Sequence, residues 1–125
     1  MKGMVNSGAN PLREKSYAFA LNIIRISRSI AEREKEFILS KQLMRSGTSI
    51  GANIEEALQG ISKKDFTAKM SIALKESFET HYWIRLLSDS NLISANEASM
   101  IKNACSELMK MLTSIVRTSK GNGAS

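Results

Sequence analysis

The side chains best equipped for chemistry in this chain are four glutamates, one histidine and one cysteine. Glu55 and Glu56 lie in one apolar-periodic segment, Glu76 and Glu79 in the next. Carboxylates held across two neighbouring helices could share a proton as general acid and base. Such residues also serve as solvated charges or as partners of Lys and Arg, and nothing in their spacing selects a catalytic pair. A di-iron site in a bundle needs a Glu from each of two helices and Glu-x-x-His from each of the other two. The chain has a single histidine, His81, and Glu79 stands two residues from it rather than three. That inventory excludes the metal site, and His81 reads as a hydrogen-bonded packing residue. Cys105 stands alone, so an internal disulfide and a Cys-based zinc site are both excluded. It reads as a small buried hydrophobe. No phosphate-cradling glycine loop and no nucleophile motif occurs. The expectation is a protein that is not an enzyme and uses no cofactor and no metal.

The elements that must carry these residues are four helices with readable ends. Asn10-Pro11 opens the first, a capping side chain followed by proline where its missing N–H costs nothing. Its seam is Leu12, Ser16, Phe19, Ile23, Ile26 and Ile30. The charged run from Glu32 to Glu36 carries the connection to the second helix, whose seam is Leu39, Leu43, Gly47, Ile50, Ile54 and Ala57. Gly60 is placed to end it as a left-handed residue, with Ile61 supplying the accompanying apolar contact. Ser62 with Asp65 caps the third helix, which shows Phe66, Met70, Ala73, Ser77, Thr80, Ile84 and Leu87 at the same spacing and leaves at Asn91. Ser94 with Glu97 is a capping box for the fourth, with seam Ile101, Ala104, Leu108, Met111 and Ile115. Long helices joined by short connections give an all-α, antiparallel up-down-up-down four-helix bundle. Residues 10–119 form it, between a flexible start at 1–9 and a flexible tail at 120–125.

Low aromatic content and one proline agree with helices packed through Leu, Ile, Met and Ala. The opening MKGMVNSGA holds no apolar stretch long enough for a signal peptide, and no run approaches the ~20 residues of a membrane span. The chain is expected to be soluble and cytoplasmic, with no membrane partner. Its net charge of +6 is uneven: residues 1–50 carry nine Lys/Arg against four Asp/Glu. Such an excess makes a polyanion partner worth testing.

Two features point to assembly. Gly47 and Gly51, with Ser46, Ser49 and Ala52 nearby, leave one side of the second helix almost bare, so another helix can approach closely. That helix belongs either to the same protomer or to another copy. The third helix is apolar nearly all round, adding Ile72, Leu74, Phe78, Tyr82, Trp83 and Leu86 to its seam. Large exposed apolar patches are rare on monomers, so a homo-oligomer is expected. The candidate contact set for a second copy is Gly47, Gly51, Asn53, Ile72, Phe78, Tyr82 and Trp83.

The stretch RSGTSIGANIEEALQG, followed by SKKDFTAKMSIALKESFETHYWIRLL, resembles the small four-helix-bundle proteins encoded in intervening sequences of bacterial 23S ribosomal RNA genes. The matching residues are Arg45-Ser46, Ser49-Ile50, Ala52-Asn53-Ile54-Glu55-Glu56, Ser62, Phe66, Ser71-Ile72-Ala73, Lys75-Glu76, Glu79-Thr80 and Tyr82-Trp83, with Gly60 after Leu58-Gln59 a small variation. The resemblance covers residues 11–118. It implies a left-handed bundle and a ring-shaped homopentamer with a basic surface. It extends to the related accessory variability proteins of diversity-generating retroelements, which assist a reverse transcriptase and bind nucleic acid. It supplies no catalytic residues.

The leading expectation is thus a non-catalytic oligomer that binds nucleic acid, RNA in the first place or structured DNA. The candidate contacts are Arg25 and Arg28 on the first helix, Lys41 and Arg45 on the second, and Lys63, Lys64 and Lys69 on the third. The alternative is a protein-interaction scaffold that docks a partner such as a reverse transcriptase.

Overall fold

The computed structural model describes residues 10–124, and the expected flexible start at 1–9 lies outside them. Four helices follow in chain order: α1 (Pro11–Glu34), α2 (Ile38–Leu58), α3 (Lys63–Asp89) and α4 (Ala95–Ala124). Each packs on its neighbours in sequence, and α1 meets α4 more thinly, which closes an antiparallel four-helix bundle.

Side chains fix the helix starts. Asn10 Oδ1 accepts from the Arg13 N–H at 3.0 Å, with Pro11 in the first turn. Ser62 Oγ accepts from the Asp65 N–H at 3.0 Å, and Ser94 Oγ from that of Glu97 at 3.1 Å. For α2 the cap comes from upstream: the Glu36 carboxylate accepts from the N–H groups of Leu39 at 2.8 Å and Ser40 at 3.0 Å. These bonds satisfy donors that a helix N-terminus otherwise leaves orphaned.

The ends use two devices. At the close of α3, Asn91 adopts φ 61°, and the amides of Asn91 and Leu92 bond back to the carbonyls of Ser88 and Leu87 at 3.1 and 2.9 Å. That is a Schellman turn with asparagine in the left-handed seat. α2 ends differently from the expectation, because no described glycine has positive φ. The Gln59 and Gly60 amides turn back to Glu56 and Ala57 at 3.1 and 3.0 Å, which satisfies the carbonyls in a tighter turn. Gly60 serves a close approach instead: a Cβ there would stand 2.7 Å from Asp65 Oδ2. Ile61 is carried outward and is 97% exposed, so its expected contact does not form.

The seams expected for the first three helices form the core, except that Leu39 and Phe66 lie partly buried at its edge. Ile23, Ile26, Ile30, Leu43, Ile50, Ile54, Met70, Ile84 and Leu87 are fully buried. On α4 the buried stripe is Ile101, Cys105, Leu108, Leu112 and Val116, leaving Ala104, Met111 and Ile115 at its edge. The stripe is turned toward α3, where Cys105 Sγ donates to the Ser77 carbonyl at 3.4 Å and Ser119 shares a hydrogen bond with Thr67. Helix α4 also runs on to Ala124, past the end expected at residue 119.

The bare strip of α2 is taken up inside the protomer. A Cβ on Gly47 would stand 2.8 Å from both γ carbons of Ile23, so α1 lies directly against this glycine. Gly47 is buried there and leaves the contact set for a second copy. The Cβ position of Gly51 faces Ser16 of α1 at 3.5 Å, an ordinary contact distance.

Candidate nucleic-acid interface

The seven basic residues expected to contact nucleic acid do not form one patch. Arg28, Lys41 and Arg45 meet around a groove of about 340 Å³ between α1 and α2, floored by Ala31 and Met44. Lys63, Lys64 and Lys69 sit in the first turns of α3, roughly 15–25 Å away along the bundle at 1.5 Å per residue. Three of the seven are already neutralised. Arg25 pairs with Glu97 of α4 at 3.1 Å, and Lys69 with Glu56 of α2 at 2.8 Å, which raises the lysine pKa. Arg45 is held by Glu79 at 2.5 Å and Glu76 at 3.3 Å. The hydrogen bond to Glu79 raises the Arg45 pKa and lowers that of Glu79, whose Oε2 also accepts from Trp83 Nε1 at 3.3 Å. The glutamates weighed as an acid–base pair thus act as ion-pair partners: Glu55 takes Arg13 at 2.8 Å, and Glu56, Glu76 and Glu79 are engaged as above.

A different face emerges from where the glutamates of α3 and α4 point. All four glutamates of α3 and α4 turn toward the first two helices: Glu76 and Glu79 to Arg45, Glu97 to Arg25, and Glu107 to Lys15 at 3.1 Å. The outer groove between α3 and α4 is left with cations that form no ion pair among the described residues. Lys110 and Arg117 line a recess there of about 400 Å³ with Phe78, Met109 and Thr113. Toward the other end, Arg85 Nε donates to His81 Nδ1 at 3.3 Å, and Lys102 acts on the same imidazole. Burial first, then these two positive charges, hold His81 below its usual pKa, so it is neutral at pH 7. Lys102, Lys110 and Arg117 recur every seven or eight residues and mark roughly 22 Å of one helix face. Sequence reasoning passed over them because it weighed regional charge totals. The recurrence along α4 was the available signal.

The apolar residues of α3 divide between its two flanks. Phe78 is 53% exposed in the α3/α4 recess, and Tyr82 is 45% exposed beneath the Arg85 guanidinium, 5.6 Å from its ring centroid. Trp83 is half-buried toward α2, edge-on to Tyr82 with ring centroids 5.1 Å apart. Ile72 and Leu86 remain open on the outer surface. Asn53 donates to the Ser49 carbonyl of its own helix at 2.9 Å.

Burial pushes the Cys105 thiol up to about 12, far from a reactive thiolate. Among the described residues no group of three His, Cys, Asp or Glu could hold a metal ion, and no helix is long and apolar enough to cross a membrane.

Comparison with known proteins places the chain. The model of the 23S rRNA-intervening sequence protein family matches residues 10–114. The crystal structure of a protein of unknown function from the S23 ribosomal protein family of Bacteroides thetaiotaomicron VPI-5482 is similar at 45% identity, with a TM-score of 0.82. The similarity covers 84% of this chain and 97% of that one. No match was found among curated proteins. The match over residues 10–114, on a bundle of four antiparallel helices, assigns the chain: it belongs to the 23S rRNA-intervening sequence protein family.

Proposed function

We propose that this protein is a non-catalytic, cytoplasmic homo-oligomer that binds RNA through the outer face of α3 and α4. The observation that carries the reading is the sorting of charge: every glutamate on those two helices faces α1 or α2, which leaves Arg85, Lys102, Lys110 and Arg117 together. Such a row presents repeated cations to repeated phosphates, and phosphate contacts bring most of the affinity and its salt dependence.

Assembly is supported by exposed apolar residues on two helices that do not pack on each other. Ile72 and Leu86 lie on α3, and Tyr17 and Leu21 on α1. Two unlike patches on separated faces suit head-to-tail contacts, which close into rings when the rotation permits. A pentamer is the ring that the family resemblance implies, and it would multiply the formal +6 to about +30, with avidity from repeated sites.

A mobility-shift series on a structured RNA tests the reading. Affinity is expected to fall by roughly 10³-fold or more between 50 and 200 mM salt, with weak dependence on sequence. Absence of binding at the lowest salt would overturn it. The second reading, a scaffold for a protein partner, draws on the α1/α2 groove, whose apolar floor and cationic rim suit an acidic peptide. Its mark would be partner binding that persists at high salt and is lost on changing Met44.

A further inference from the structure

We infer that the α3/α4 recess takes an unpaired stretch of RNA, stacking one base on Phe78 while Lys110 and Arg117 hold the flanking phosphates. The inference rests on the reading of this face as RNA-binding and adds the class of RNA and the residue that selects it.

Among the described residues Phe78 is the only aromatic side chain lining the recess, and more than half of its surface is open. Around it stand Met109, which gives an apolar floor, Ser106, and Thr113, whose hydroxyl donates to the Met109 carbonyl at 2.7 Å and keeps its acceptor lone pairs. Lys110 and Arg117 complete the lining at a seven-residue spacing on one face of α4. The chemistry is that of a nucleotide: a π face for a base, hydroxyls for sugar and base edges, and cations for phosphate. One helical turn beyond Phe78, the exposed Tyr82 ring carries the Arg85 guanidinium on its face, which extends the run of aromatic and cationic side chains.

Two alternatives fit less well. A second copy laid over Phe78 would have to desolvate Lys110 and Arg117 beside it. The glutamates of α3 and α4 that could have compensated them all point elsewhere, and an unpaired buried cation is costly. A duplex RNA would satisfy the cations but keep its bases stacked inside, out of reach of the phenyl ring. An unpaired strand satisfies both.

The test is fluorescence anisotropy on the full chain with a labelled mixed-sequence single-stranded RNA and, separately, its duplex. Wild type, Phe78→Ala, Phe78→Trp and Lys110→Glu/Arg117→Glu are compared, and light scattering follows their mass. Stacking is worth about 1–3 kcal/mol per base, so Phe78→Ala is expected to weaken single-strand binding roughly 5- to 150-fold. It should leave duplex affinity and the salt slope unchanged, while Phe78→Trp retains the single-strand preference. The double charge reversal should weaken both RNAs. Equal loss for strand and duplex in Phe78→Ala, no loss at all, or a fall in oligomeric mass would overturn the assignment of Phe78 and leave the RNA-binding reading standing. Loss of neither RNA in the charge reversal would remove the broader reading as well.

Discussion

Ile23 and Gly47 meet where α1 lies against α2, and this contact explains why a helix interior tolerates glycine. Alanine at 47 would place its Cβ 2.8 Å from two carbons of a fully buried side chain, so Ile23 or the helices must shift. Overpacking of this kind costs about 1–3 kcal/mol, against roughly 1 kcal/mol gained in helix propensity. Gly47→Ala is therefore expected to lower stability by up to about 2 kcal/mol in urea unfolding. Gly51→Ala, whose Cβ meets only ordinary contacts, should raise stability by up to about 1 kcal/mol. Equal effects at the two positions would show that close approach is not what Gly47 provides. The sequence made the bare strip legible through Gly47, Ser46 and Gly51. It did not reveal whose helix fills the strip, because spacing on one helix is silent about its neighbour.

Element by element, legibility followed how strongly one stripe outcompeted the others. The seams of α1, α2 and α3 were readable because bulky residues recur on one side, and the caps at Asn10, Ser62 and Ser94 because their side chains act locally. Helix α4 carries two apolar stripes of similar weight, one through Cys105, Leu112 and Val116 and one through Ala104, Met111 and Ile115. Only packing on α3 decides between them. The cationic α3/α4 face was illegible for a related reason: it exists because Glu97 and Glu107 reach across to α1, and Glu76 and Glu79 to α2.

His81 reports on that face. Its folded pKa lies below the ordinary 6.5, so on acidification the unfolded chain binds a proton before the folded one does. The contribution of neutral His81 to stability is complete above that value and declines as pH falls through 6.5 toward the lower folded pKa. RNA phosphate nearby favours the imidazolium and acts in the opposite sense on binding. Between pH 7.5 and 5.5 the urea midpoint should fall while RNA affinity rises, and His81→Asn should flatten both trends. Parallel movement of the two quantities, or no effect of His81→Asn, would contradict this assignment.

For the whole molecule, two claims remain joined: copies associate through exposed apolar residues, and the assembly presents a row of cations. Tyr17 and Leu21 on α1 and Ile72 and Leu86 on α3 are exposed on the protomer, and the proposed assembly would cover them. Light scattering at micromolar concentration should therefore give a multiple of 13.8 kDa, and a protomer mass would count against assembly. The location of the RNA site can be separated from net charge by one paired comparison. Lys110→Glu/Arg117→Glu and Arg28→Glu/Lys41→Glu each change the formal charge from +6 to about +2, one on the α3/α4 face and the other on α1/α2. Dissociation constants for one RNA at fixed low salt then isolate position. The α3/α4 pair should weaken binding by more than about 10-fold and the α1/α2 pair by less than about threefold. Equal losses, or a larger loss from α1/α2, would show that the orientation of these glutamates does not set where RNA binds.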